Sequence, residues 1–233
     1  MEIKEKIIVV TGASGGIGSA VARLLASEGA KVVLAARESD ALEALAKELP
    51  RSFAIPTDVR KDEDVRNLVE KTITQYGRID ALVNGAGQGM WTTVEKIDIE
   101  EYRALFDLNV CGYLRMMQAV IPEMRKQGGG NIVNISSMLT RSFYPNLAGY
   151  TSTKYAVNSL SLSARAELEK DHIIVSVLRP KLVETDFGKH AIHPEPDALR
   201  DRNNPSAPPM DTADFVAEKL VELLRSGNAE MDL

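Results

Sequence analysis

Six short apolar runs recur along the chain, Ile7–Thr11, Lys31–Ala35, Phe53–Pro56, Ala81–Asn84, Asn131–Ile135 and Ile173–Leu178, separated by stretches of helical length. Each is rich in β-branched residues, nearly continuously apolar, and bounded by Gly, Pro, Asn or Asp, which is how a strand covered on both faces reads. The intervening segments have helix signals. Ile17–Glu28 starts in a glycine cluster and stops at Gly29; Asp98 followed by Glu101 makes a capping-box start for a helix carrying Tyr102, Leu105 and Phe106; Asp211 or Thr212 caps a last helix that ends at Gly227. Strands alternating with helices demand βαβ units, and right-handed crossovers leave a doubly wound α/β fold. The expectation is a parallel β-sheet of six to seven strands with helices on both faces, in three layers, with Glu230–Leu233 as the candidate last strand.

No repeat or linker interrupts the pattern, so residues 1–233 read as a single domain. One segment, about 186–210, lacks a period and carries Pro194, Pro196, Pro205, Pro208 and Pro209; it reads as a substrate-binding lid. With 28 Lys and Arg against 33 Asp and Glu, the net charge of -5 argues against a nucleic-acid partner. No run approaches the roughly 18 apolar residues of a membrane span, and the mixed-charge start Met1–Lys6 is a poor secretion signal. A cytoplasmic protein is expected. Cys111 is the only cysteine and reads as a small buried apolar residue, with no intrachain disulfide available. His190 and His193 read as polar loop residues, and no metal is assigned.

The first strand runs into Thr11-Gly-Ala-Ser-Gly-Gly-Ile-Gly18 and then directly into a helix. Glycines there let the backbone turn sharply and approach a pyrophosphate, while the helix N-terminus offers N–H groups and partial positive charge. Gly12, Ser14, Gly15, Gly16, Ile17 and Gly18 are therefore candidate dinucleotide-binding residues of a Rossmann domain, although the spacing is not the common G-x-G-x-x-G. The second strand leads into Arg37, where an acidic residue would take ribose hydroxyls and an arginine a 2′-phosphate. Arg37, with Ser14 and Ser39 as hydroxyl donors, points to NADP(H) over NAD(H), with Glu38 and Asp40 as opposing charges. Asp58 and Val59 follow the third strand, and Asn84, Gly85, Ala86 and Gly87 the fourth. Open α/β sheets bind ligands at such carboxyl ends.

The fifth strand ends in Ser136-Ser137, and Tyr150 and Lys154 lie four apart in a segment entering an apolar-periodic helix. That spacing puts phenol and ammonium on one helix face. A free tyrosine, with a pKa near 10, is a poor proton acceptor at neutral pH, and a nearby ammonium would lower that value. Ser137 could bond the oxygen at which charge changes.

Taken together, Thr11–Gly18, Asn84–Gly87, Asn109, Ser137 and the Tyr150–Lys154 pair resemble the short-chain dehydrogenase/reductase family in its single-domain form, over Thr11–Thr185. The resemblance implies Tyr150 as proton donor or acceptor, Ser137 as the residue positioning the substrate oxygen, Lys154 as the group tuning Tyr150 and holding the nicotinamide ribose, and Asn109 as the anchor of a relay water. It implies Val183 and Thr185 as carboxamide contacts, beside Pro180, and a homodimer or homotetramer built on the helices around Asn109–Lys126 and Tyr150–Lys170. Three features depart from the family pattern: Asn84-Gly85 in place of Asn-Asn, Lys181 in place of the glycine after Pro180, and an end at Leu233 close after the last helix.

The expected partner is a small carbonyl or secondary alcohol, turned over by hydride transfer. Met90, Trp91, Met138, Leu139, Phe143, Tyr144, Phe187 and Ile192 would line an apolar pocket, with Arg141, Lys181 or His190 able to meet a carboxylate. Within enzymes, an epimerase or dehydratase of the same superfamily would normally need a further C-terminal domain. From another class, the rival is a non-catalytic NAD(P)-binding redox-sensing protein; the complete serine, tyrosine and lysine set stands against it.

Overall fold

The computed structural model describes residues 1–37, 40–194 and 209–233. Its seven strands are β1 (Ile7–Thr11), β2 (Lys31–Ala36), β3 (Phe53–Pro56), β4 (Ala81–Asn84), β5 (Gly130–Ile135), β6 (Ile173–Arg179) and β7 (Glu230–Asp232). Every pairing is parallel, in the order β3-β2-β1-β4-β5-β6-β7. The strand order reverses between β1 and β4, so a crevice opens there at the carboxyl ends, beside both glycine-bearing loops.

Side chains alternate across the sheet as the pleat requires. Ile8 and Val10 join a core with Val32, Leu34 and Val83 under α1 (Gly16–Ser27), α2 (Asp40–Glu48) and α7 (Ala213–Ser226). Ile7 and Val9 face the other way, with Val33, Leu82, Ile132 and Val175, under α3 (Asp62–Tyr76), α5 (Gly112–Lys126) and α6 (Ala148–Leu168). The sheet is sandwiched between two helical layers, as the continuous apolar strands predict. No helix among the described residues is long and apolar enough to cross a membrane.

Boundaries differ from the sequence reading by a residue or so, except around Asn109. There α4 (Ile99–Phe106) passes through a widened π turn, Asp107–Cys111, before α5 begins. Cys111 sits in that turn half-buried rather than in the core. Asp98 caps α4 by accepting from the Glu100 and Glu101 N–H groups at 2.9 and 3.0 Å. The reciprocal half of the expected box is missing, since the Glu101 carboxylate meets His193 Nε2 at 2.9 Å. Thr212, not Asp211, caps α7, accepting from the Phe215 N–H. Asp211 instead bridges to Val183 as a short parallel contact.

Of the segment read as a lid, residues 195–208 lie outside the described residues. The described part holds one tight turn, Asp186–His190, and a bridge between Ile192 and Met90.

Candidate active site

The loop after β1 is shaped by close backbone contacts. Gly12 has φ +69°, and a Cβ on it would lie 2.7 Å from the Gly85 carbonyl oxygen and 2.8 Å from the Ala86 nitrogen. A Cβ on Gly18 would run into the Gly12 carbonyl, and one on Gly16 into the Thr185 side chain. Thr11 ties this loop to the next, its hydroxyl accepting from the Gly85 and Ala86 N–H groups at 3.0 and 3.3 Å. Gly15 is the N-cap of α1 without any side-chain capping bond, and Ser14, Gly15 and Gly16 are exposed. Bare main chain therefore faces the crevice at a helix N-terminus, a cradle whose shape and partial charge fit a pyrophosphate. Ile17 packs back into the core.

The remaining cofactor candidates divide. Arg37 is exposed just past β2, while Glu38 and Ser39 lie outside the described residues. Asp58 is gripped by the Arg60 guanidinium at 2.6 Å, which holds its carboxyl below the usual range against the opposing effect of burial. Val59 is buried against Gly112. Asn84 turns its side chain into the protein, donating to Asn134 Oδ1 at 2.9 Å, so its loop offers only main chain to the crevice. Pro180 is buried and its carbonyl accepts from the Met138 N–H at 2.9 Å, leaving Lys181 exposed. Val183 is half-buried against the α1 side of the core, and Thr185 lies against Gly16.

At the ends of β5 and α6 the polar groups are buried. Ser137 is 7% exposed, Tyr150 9% and Lys154 4%. Burial pushes the Tyr150 phenol above its ordinary value, and the neighbouring Ser137 hydroxyl opposes that only in part. The spacing of Tyr150 and Lys154 predicts that the lysine lowers the phenol's pKa. Instead the Lys154 ammonium donates to the Ile135 carbonyl at 2.9 Å and stands 5.8 Å from the centre of the Tyr150 ring. Desolvation pulls its own pKa down to about 7.

Asn109 fixes the opposite wall. Its Oδ1 accepts from the Gln88 N–H at 2.9 Å, and its Nδ2 donates to the Gln88 carbonyl at 2.9 Å and to the Thr153 hydroxyl at 3.1 Å. The amide thus clamps the β4 loop to α6, and its side chain is already engaged with protein partners.

The structure gathers some of the substrate candidates around Tyr150 and leaves others out. Met90 is buried against Tyr150, with Leu139 and Ile192 alongside. The Phe187 ring lies 5.7 Å from the Tyr150 ring. Trp91 and Met138 are half-buried, and the Trp91 N–H donates to the Ile192 carbonyl at 3.0 Å. Phe143 and Tyr144 are largely exposed. Arg141 is held by Asp232 at 3.0 Å, and Gln88 Nε2 takes the His190 carbonyl at 2.6 Å.

Two groups escaped the sequence reading. Tyr113 lies beneath Lys154, and the i, i+4 spacing from Asn109 was a usable signal for it, since the same spacing relates Tyr150 to Lys154. Arg179, 2% exposed, donates to Asp232 at 2.8 Å and also pairs with Glu230. Only the folded sheet edge brings those charges together.

The sequence profile for short chain dehydrogenases matches residues 6–196. An uncharacterized oxidoreductase of Staphylococcus saprophyticus is 38% identical over 192 residues, covering 81% of this chain and 78% of its own length. Another, from Staphylococcus aureus, is 36% identical over 185 residues, covering 78% and 80%. Among solved structures, the 3-ketoacyl-(acyl-carrier-protein) reductase of Brucella melitensis, complexed with NADH, superposes with a TM-score of 0.89 at 27% identity, over 99% of this chain and 97% of that one. The L-sorbose reductase of Gluconobacter frateurii, complexed with NADPH and L-sorbose, gives 0.86 at 28% identity, over 100% and 97%.

Proposed function

Because the chain belongs to the short chain dehydrogenase family, oxidoreductases with an NAD(P)-binding fold, we propose that it is an NADP(H)-preferring carbonyl reductase whose proton donor is Tyr150. Its coenzyme supplies the hydride chemistry. Gly12–Gly18 would cradle the pyrophosphate with main chain, and Pro180, Val183 and Thr185 would border the nicotinamide end. Arg37 would take the 2′-phosphate. Lys154 would hold the ribose on that side.

One observation carries the reading: Tyr150 is a buried phenol beside Ser137, in contact with Phe187 and Met90. A phenol held above its ordinary pKa is protonated at neutral pH and donates to an oxygen that gains charge, which is the demand of carbonyl reduction. Ser137 gives a second donor to the same oxygen. Phe187 and Ile192 would shield that oxygen from water. The walls favour a substrate with an apolar body. The residues 1–233 act as one domain, and the groove between α5 and α6, lined by Leu114, Met117, Ile121, Leu160 and Leu168, is the face on which a homodimer or homotetramer would assemble. Nothing in the geometry favours the non-catalytic sensor.

Screening NADPH oxidation against aldehydes, ketones and quinones should reveal turnover. Tyr150→Phe should then lower kcat by roughly a thousandfold or more while leaving the NADPH Kd within about threefold. Normal turnover in that variant would overturn the assignment. Arg37→Asp should reverse the coenzyme preference, raising the Kd for NADPH about tenfold or more with little change for NADH; equal losses for both would remove the role given to Arg37.

A further inference from the structure

We propose that Tyr113 is a positioning residue for Lys154: its ring supports the lysine ammonium from below, while its hydroxyl shares the main-chain carbonyl that the ammonium binds. The inference rests on the reading above only in treating Lys154 as part of the active site; the contacts stand without it. Lys154 Nζ lies 5.1 Å from the centre of the Tyr113 ring, within cation–π range. The Tyr113 hydroxyl donates to the Ile135 carbonyl at 3.2 Å, and Lys154 Nζ donates to that same oxygen at 2.9 Å. Ile135 is the last residue of β5, two positions before Ser137, so the shared oxygen sits at the root of the catalytic strand end.

Tyr113 is 2% exposed, and burial, with Tyr150 opposite, keeps its phenol protonated and able only to donate to a carbonyl. The titratable groups beside Lys154 are Tyr113 from α5 and Tyr150 from its own helix. Asn109 and Ser137 are neutral, Asp107 in the π turn is paired with Arg115 at 2.8 Å, and Lys154 forms no ion pair among the described residues. The tyrosine therefore stands where a carboxylate would over-stabilise the ammonium. Its two contacts act in opposite directions. The electron-rich ring face favours the charged lysine. The competing hydroxyl weakens the carbonyl as an acceptor for the ammonium, and so disfavours the charge. Lys154 is kept chargeable without being locked to Ile135.

That opposition gives a signature which a merely space-filling tyrosine lacks. Lysine labelled with ¹³C at Cε reports protonation by NMR, in protein without added coenzyme, with Lys154→Arg identifying the residue 154 resonance. Tyr113→Phe removes only the hydroxyl and should move the Lys154 titration midpoint to higher pH by about half a unit, roughly threefold in the ionisation constant. Tyr113→Met removes the ring as well and should bring the midpoint about one unit below that of Tyr113→Phe, roughly tenfold. Unchanged midpoints in both variants would overturn the proposal. Should either variant fail to fold, the wild type still decides. Its residue 154 ε-methylene protons should be shifted upfield by the ring beneath them, and a shift equal to that of solvated lysines would overturn the proposal. The reaction assignment fails separately, since normal turnover by Tyr150→Phe would leave these midpoints as they are.

Discussion

The loop after β1 and the polar cluster where β5 ends against α5 and α6 face the same crevice but are built from opposite materials. Gly12–Gly18 presents main chain, and its shape is set by where a Cβ cannot go. Ser137, Tyr150, Lys154 and Tyr113 present polar side chains that are nearly all removed from water, with properties set by what surrounds them. The first region works by steric exclusion and the second by desolvation. Mutations should therefore fail differently in the two: in the first by blocking coenzyme entry and distorting the loop, in the second by altering protonation while the fold persists or even gains stability.

Gly18→Ala is the hardest test of the first half. The added methyl would meet the Gly12 carbonyl, which is backbone and cannot rotate away. The NADPH Kd should rise about a hundredfold, equivalent to roughly 3 kcal/mol, with a lowered Tm. Isothermal titration and a thermal melt check both, and near-native affinity would show that the loop yields more readily than its contacts suggest.

The same contrast explains what the sequence made legible. The strands were readable because each is covered on both faces and so is apolar without interruption, and Gly12, Gly16 and Gly18 were readable because a glycine cluster between strand and helix has few other uses. Tyr150 and Lys154 were readable as neighbours from their spacing. Their electrostatics were not, because desolvation outweighs the pairwise attraction expected of a phenol and an ammonium, and depth of burial is a tertiary property. Arg141 looked free for a substrate carboxylate; Asp232, 91 positions away in sequence, takes it once β7 closes the sheet edge. Asn84 likewise looked like a cofactor contact, yet a neighbouring strand supplies Asn134 as its partner.

The second half is tested by Lys154→Met. Burying an ammonium without an ion pair is costly, and its pKa of about 7 in the folded protein lies well below the roughly 10.4 of an unfolded chain. Between those values the unfolded chain holds the proton and the folded one releases it, so wild-type stability climbs as pH rises through that window. The variant should be more stable than the wild type by about 1–3 kcal/mol at or below pH 7, with the advantage shrinking toward pH 10, and it should have lost activity. Paired urea melts at pH 6.5 and 9.5 measure this. A destabilised variant at both would mean that Lys154 is held for structure and that desolvation is not the governing cost.

The smallest effect lies where the two halves are joined to the sheet edge. Asp232 on β7 accepts from Arg179 at 2.8 Å and from Arg141 at 3.0 Å, linking the strand before Pro180 to the turn after Ser137. Burial works against its charge, yet the two guanidinium bonds prevail and hold its carboxyl below the usual range. Its contribution is therefore present at neutral pH and is lost as pH falls below the unfolded value near 4 toward the lower folded one. Glu230 still pairs with Arg179 when Asp232 is changed, and the Asp232 carboxylate is 38% exposed, so solvent screens much of the interaction. Asp232→Asn should cost about 1 kcal/mol at pH 7 and progressively less below pH 4. If Asp232 also aligns the Pro180 and Ser137 walls, KM for the carbonyl substrate should rise a few-fold while kcat holds. Loss of stability with unchanged KM would confine this residue to the sheet edge and leave the positioning of Ser137 and Tyr150 to α6 and the Asn109 clamp.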